Sequence, residues 1–522
     1  MAAFVMQAAR NSILENPIVF SVLFIALIGL IMYVRIPRLP KAPRLQISTL
    51  PGAAGAAADI AAFVADGSKV MQIGYDRFSR KGQSFLMRTP SHTVFVAAPH
   101  FIDEIRAAND SELNPLPANN VIMQLRHTLH AHLEVDQYHF SVVQKQLTQN
   151  LGPGLPDVVD EAKHAWAEEL GKPKGPVILK LNSCLVYDCK ADYVPDWTEI
   201  AMWDTTFRIV TRTANRLLFG KCLASNPEFL RFSIDYSFVM FGGADLIRSY
   251  PSFLKPLVMY FRTSLYKELA VARKHLIPII KDRIEKQDAY LSTNRADDYE
   301  RVKEKDAIQW VLDISPPDQL DPELLMYRMI HITISAVHTS SVTFLDCINE
   351  LAARPEIHDE LREEIRSVFE TEGGKWRKQG LTKLVKMDSF MRETVRFNPL
   401  FAGQLDRVAL KDTTLSDGTL LPKGTYVTVP SFAMYMDDMY YKDAKNFDPF
   451  RFSKKRQESG QETLHSFVQT TPSFLHFGYV LFDALSSTDN ASHIADDPST
   501  ATVDMLVQAD SLPQMKSKFS LY

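Results

Sequence analysis

The stretch MDSFMRETVRFNPL, residues 387–400, decides how the rest of the chain is read. Glu393 and Arg396 stand one helical turn apart, so their side chains can meet on one face, and Pro399 ends the helix that carries them. Such a pair is common on solvated helix faces and by itself specifies nothing. Its meaning comes from a second stretch, YYKDAKNFDPFRFSKKR at 440–456, where a proline-fixed turn sets Arg451 between Phe450 and Phe452. An ordered loop of this kind delivers a forked guanidinium to a carboxylate, and Glu393 is the natural acceptor.

A third stretch lies upstream. From Glu323 the apolar density predicts a long buried helix that ends before Pro355, with a second helix after it. Its middle is polar: Ser335, His338, Thr339, Ser340 and Ser341 crowd into a run with apolar flanks. Hydroxyls inside a helix bond back to the carbonyl one turn earlier and can open the ladder beside a ligand. The plainer reading is a set of satisfied core hydroxyls.

Around these stretches, apolar residues recur at three and four spacing from about residue 55 to 400, which predicts a mainly helical body. SFLMRTPSHTVFVAA (84–98) reads as a hairpin, and TTLSDGTLLPKGTYVTVP (413–430) as another with Asp-Gly and Lys-Gly turns. The fold class is therefore mainly α with small β-sheets. The strand-like segment 172–194 interrupts two helical runs without an obvious partner and reads as a surface insertion.

The bulk numbers bound the function. With 522 residues and 46% hydrophobic content the chain can bury a large core, and a net charge of −4 gives no reason to expect nucleic acid as a partner. Four cysteines, Cys184, Cys189, Cys222 and Cys347, indicate a reducing compartment and lack the spacing of a zinc site. No charge interrupts NPIVFSVLFIALIGLIMYV, residues 16–34, a length that crosses a bilayer as one helix. A cleavable signal peptide is the rival, but no A-x-A site follows. Arg35, Arg38, Lys41 and Arg44 outweigh Arg10, which places residues 1–15 in the lumen and the body in the cytosol. Residues 35–52, with Pro37, Pro40 and Pro43, are expected to be a stiff connector between membrane and body.

In this order and at these separations the three stretches resemble the cytochrome P-450 superfamily of haem-thiolate monooxygenases, in particular its membrane-anchored fungal members. Glu393-x-x-Arg396-x-x-Pro399 matches the family's E-x-x-R helix, and Phe447 to Phe452 its F-x-P-x-R-F meander. The resemblance covers residues 53–479 and implies a salt-bridge network of Glu393, Arg396 and Arg451. It aligns Ser335 to Ser340 with the proton-relay signature A/G-G-x-D/E-T-T/S, putting Thr339 in the place of the threonine and His338 in that of the acid, with Ser340 beside them. Arg407 and, less closely, Lys145 stand where the family binds haem propionates, and Phe477-Gly478 open the haem-binding loop.

There the pattern breaks. Val480 replaces the loop's second glycine, Phe482 a polar residue, and Ala484 the cysteine whose thiolate is the axial iron ligand. Residues 480–522 are rich in Ser, Thr and Asp where the family has an apolar helix. So abrupt a change fits a shifted reading frame or a retained intron, since valine codons begin with GT. The resemblance implies a haem cofactor, an NADPH-cytochrome reductase partner, an apolar small-molecule substrate, an endoplasmic reticulum membrane and a role in secondary metabolism of terpenoid, polyketide or alkaloid skeletons. The chain as written is expected to lack thiolate-ligated haem and activity. The alternative function is a catalytically dead, membrane-anchored scaffold or binding protein.

Overall fold

The structure, a computed structural model, describes residues 38–171, 177–180 and 198–476. Eight helices build most of the body: α1 (Thr148–Leu170), α2 (Met202–Ala224), α3 (Pro227–Arg248), α4 (Lys255–Arg262), α5 (Leu265–Ser292), α6 (Pro322–Ala353), α7 (His358–Thr371) and α8 (Val385–Phe397). α6, with 32 residues, is the organising element. The Asp321 side chain accepts the Leu324 N–H at 2.8 Å and Pro322 occupies the first turn, which satisfies two needs of a helix start. The helix closes at Arg354, before Pro355, as its sequence predicts.

Two cores share α6. In its first half Met326, Met329, Ile330 and Ile334 pack with Tyr236 and Met240 of α3 and Leu269 of α5. In its second half Phe344, Leu345 and Ile348 pack with Phe390, Met391 and Val395 of α8. The start of α8 is held from outside, because Glu364 of α7 accepts the backbone N–H groups of Lys386 at 2.7 Å and Met387 at 2.9 Å.

The sheets are small and join distant segments. β1 (Phe85–Arg88) and β2 (Thr93–Val96) form the expected hairpin at one edge of a five-stranded sheet. β3 (Leu113–Asn114) forms the other edge. β4 (Val177–Lys180) and β5 (Thr198–Ala201) pair in parallel, so the strand inside the 172–194 segment has a partner after all. Most of that segment lies outside the described residues. β6 (Gln404–Ala409) completes the large sheet, whose order is β1-β2-β9-β6-β3, with β9 (Tyr426–Val429) parallel to β2 and antiparallel to β6. Residues 413–430 are therefore not one hairpin. β7 (Thr413–Thr414) and β8 (Leu420–Leu421) make a short ladder, and β9 leaves it for the large sheet, where all four of its residues are buried.

The proline-rich connector also departs from expectation where it is described. Leu45 donates to the Leu86 carbonyl and Leu86 to that of Pro43, both at 2.8 Å, and Leu45 is buried. Residues 38–48 thus dock on the sheet rather than stand away from it. Among the described residues no helix is long and apolar enough to cross a membrane, and the 16–34 span lies outside them.

Candidate active site

Glu393 is fully buried and serves two cations. Arg396 meets it through a fork, Nη2 to Oε1 at 2.7 Å and Nε to Oε2 at 2.8 Å. Arg451 Nε donates to both oxygens, at 3.1 and 3.0 Å, and the Asp448 N–H adds a bond of 2.9 Å. The remaining guanidinium hydrogens go to backbone carbonyls: Arg396 to Tyr435 and Ala444, Arg451 to Lys442 and Asn446. One carboxylate, two cations and a ring of carbonyls therefore clamp the 435–451 loop onto α8. Buried charges persist only when paired and hydrogen-bonded in this way.

The same helix carries three further polar anchors that its sequence does not advertise. The Ser389 hydroxyl donates to the Pro449 carbonyl at 3.0 Å and accepts the N–H groups of Phe452 and Ser453 at 3.0 and 2.9 Å. Asp388 accepts the Phe467 N–H and pairs with Arg456. Arg392 donates to the carbonyls of Ser466 and Gln469 and lies 3.6 Å over the Phe474 ring. The spacing of 388, 392 and 396, and of 389 and 393, was the available signal, since it lays one polar stripe along a helix with apolar neighbours. Ser389→Ala is expected to cost about 2 kcal/mol, because it orphans two buried N–H donors. Urea unfolding measures it.

On α6 the hydroxyls bond back as expected, Ser335 to the His331 carbonyl at 3.0 Å and Thr339 to that of Ser335 at 2.8 Å. The helix nevertheless runs unbroken through them, so the ladder is not opened. Ser335 is exposed although it sits mid-helix, and Thr339 and Ser340 are half-buried. Ser335 and Thr339, four residues apart, share that accessible face. His338 points elsewhere. Its ring packs among Phe207 of α2 and Phe238 and Phe241 of α3, with centroids 5.2–5.9 Å away, and burial lowers its pKa. Its Nδ1 is buried without a partner. A neutral imidazole in an apolar cage is poorly placed to pass protons to Thr339. His338→Leu should leave stability within about 1 kcal/mol of the parent, since it removes an unsatisfied polar atom with its side chain. A thermal melt checks this.

A second histidine site was not foreseen. Arg328, fully buried in α6, donates from Nη1 to His139 Nδ1 at 3.1 Å, and His139 Nε2 stands 3.1 Å from His331 Nδ1. Because the guanidinium can only donate, His139 must carry its proton on Nε2 and give that hydrogen bond to His331. Asp136 and Gln319 complete the guanidinium's shell, and the Tyr138 ring lies 3.8 Å from it. This cluster staples residues 136–139 to the central helix.

The two propionate candidates occupy different elements. Arg407 is buried on β6, just past a bulge at which Leu405 takes φ 59°. Bulges re-aim the side chains that follow them. Lys145 is exposed on a π-helical turn, Val143–Leu147. Phe477, Gly478 and Ala484 lie outside the described residues. No cysteine follows Cys347, and Cys347 itself is buried in the α6–α8 core with its thiol pushed far up by burial. The other cysteine among the described residues is Cys222, exposed in the last turn of α2.

Comparison with known proteins places this geometry. Residues 190–479, more than half of the chain, match the family described as Cytochrome P450. Cytochrome P450 monooxygenase 151 of Postia placenta is 32% identical over 425 residues, covering 80% of this chain and 78% of that protein. Ent-kaurene oxidase of Gibberella intermedia is 28% identical over 426 residues, 80% of this chain and 73% of that one. The structure of a retinoic acid-bound cyanobacterial CYP120A1 superposes with a TM-score of 0.59 at 17% identity, covering 91% and 92% of the two chains.

Proposed function

The chain belongs to the cytochrome P450 family of haem-dependent monooxygenases, and from that premise we propose that its body serves the oxidation of an apolar small molecule in secondary metabolism. The observation that carries the reading is the α8 network closed by Arg451, combined with an accessible Ser335–Thr339 face on the central helix. The oxidising chemistry belongs to the family's haem. This chain's own residues would bind and orient the substrate: apolar side chains of α2, α3 and the first half of α6 form one packed core, and the accessible Ser335–Thr339 face adjoins it. Electrons would come from NADPH through a reductase. A terpenoid, polyketide or alkaloid skeleton is the substrate class, a reading supported by a relative named as an ent-kaurene oxidase.

The membrane reading has a structural support independent of the N-terminal span. α4 and its approach expose Phe253, Leu257, Tyr260 and Phe261, each more than half accessible, and Lys255 and Arg262 stand at the two ends of the helix. An amphipathic helix of this kind lies in a bilayer interface. The endoplasmic reticulum, with the body on the cytosolic side, is the compartment we assign.

The test uses microsomes containing the chain with residues from Val480 onward exchanged for the corresponding segment of the Postia placenta relative. With NADPH and reductase, a fed diterpene hydrocarbon should gain one oxygen atom. A preparation that shows the thiolate-type Soret band with CO yet oxidises none of a terpenoid, polyketide and alkaloid panel would overturn the substrate reading.

A further inference from the structure

We propose that this chain completes its fold without thiolate-ligated haem, so that as written it is a haem-free scaffold of the family. The inference rests on the family assignment and not on the substrate class. Its first support is the donor set. Ala484 offers a methyl group where the family's sulfur belongs, and reaching iron with Cys347 would require unwinding the buried second half of a core helix. Cys184 and Cys189 lack the Phe-Gly-x-Gly lead that places a haem-loop cysteine.

The second support is that protein groups anchor the loops leading to the break. The Leu475 N–H donates to the Tyr435 hydroxyl at 2.7 Å, and the Tyr441 hydroxyl to the Ser473 carbonyl at 2.6 Å. Gln404 Nε2 reaches the His476 carbonyl at 3.3 Å, and Thr471 and Phe474 exchange backbone bonds of 2.9 Å. Phe474 and Leu475 are fully buried, in the α8 core and the sheet core respectively. Upstream, Glu393, Ser389 and Arg392 of α8 hold residues 448–453 and 466–469 through further buried hydrogen bonds.

The experiment takes the full chain, expressed with haem precursor and purified in detergent. Haem content is read as the pyridine haemochromogen, iron ligation by the CO difference spectrum, and folding by near-ultraviolet circular dichroism during a melt with and without added hemin. The expected result is no stoichiometric haem, no thiolate-type Soret band, and one cooperative transition whose midpoint hemin does not shift, since a ligand raises Tm only by binding the folded state. Stoichiometric haem with a thiolate-type band would overturn the proposal. So would a chain that melts without cooperativity until hemin is supplied. Failure of the exchanged chain to oxidise any substrate would leave all three readouts unchanged, so the two readings fail separately.

Discussion

Replacing Glu393 by alanine is expected to destabilise the protein by about 3–5 kcal/mol, the cost of leaving buried charge uncompensated. Arg396 is fully buried and Arg451 is 9% exposed, so neither guanidinium can turn to water when its carboxylate is removed. The loss reaches beyond one pair, because the same carboxylate holds the Asp448 N–H and, through the arginines, the carbonyls of Tyr435, Ala444 and Asn446. Glu393→Gln keeps the shape and removes the charge, so comparing the two variants separates packing from electrostatics. The interaction is shielded from solvent, and its contribution should persist at high salt, unlike that of the exposed pair Arg38–Asp412. Urea unfolding at low and high ionic strength gives both numbers. A loss below about 1 kcal/mol, the size of a surface ion pair, would contradict the clamp.

That network was legible because its residues sit in two short patterns whose spacing carries meaning: a helical turn for Glu393 and Arg396, and a proline-fixed turn for Arg451. The long helix and the 84–98 hairpin were legible for the same reason, since period and turn chemistry are local. What escaped depended on distance or direction. His139 and His331 are 192 positions apart, and no local pattern joins them. His338 and Thr339 are adjacent in sequence, but neighbours on a helix point about 100° apart, so a motif that pairs them says nothing about what each faces. The alternation of 413–430 reads as one hairpin, yet burial of every β9 side chain draws that strand into the large sheet instead. Ser389 was passed over because a serine in a helix is ordinarily exposed, whereas here the meander backbone covers it.

A large pH effect should come from the stapled histidines, alongside His92, His465 and His476, which burial also lowers to about 4. Burial, with Arg328 beside them, lowers His331 to about 4 and His139 well below the ordinary imidazole value of 6.5. Below pH 6.5 the unfolded chain therefore takes up two protons that the native state refuses. Stability from this pair is complete above about pH 6.5 and is lost as pH falls toward about 4, at roughly 1.4 kcal/mol per pH unit for each proton. Together they make a slope of about 3 kcal/mol per unit. Buried carboxyl groups act in the opposite sense: burial raises Asp346 to about 7 and Asp406 to about 6, and raises Glu268, Glu364 and Asp388 as well, so the native state binds their protons first and gains stability as pH falls through those values. A difference measurement removes them. In His139→Asn/His331→Leu the asparagine carbonyl still accepts from Arg328 while both imidazoles are gone, and the variant's stability should rise less steeply with pH from about 4.5 to 6.5 than the parent's, by up to about 3 kcal/mol per unit. Parallel pH profiles would show that neither histidine is held neutral, and with that the tautomer chain from Arg328 through His139 to His331 would fall.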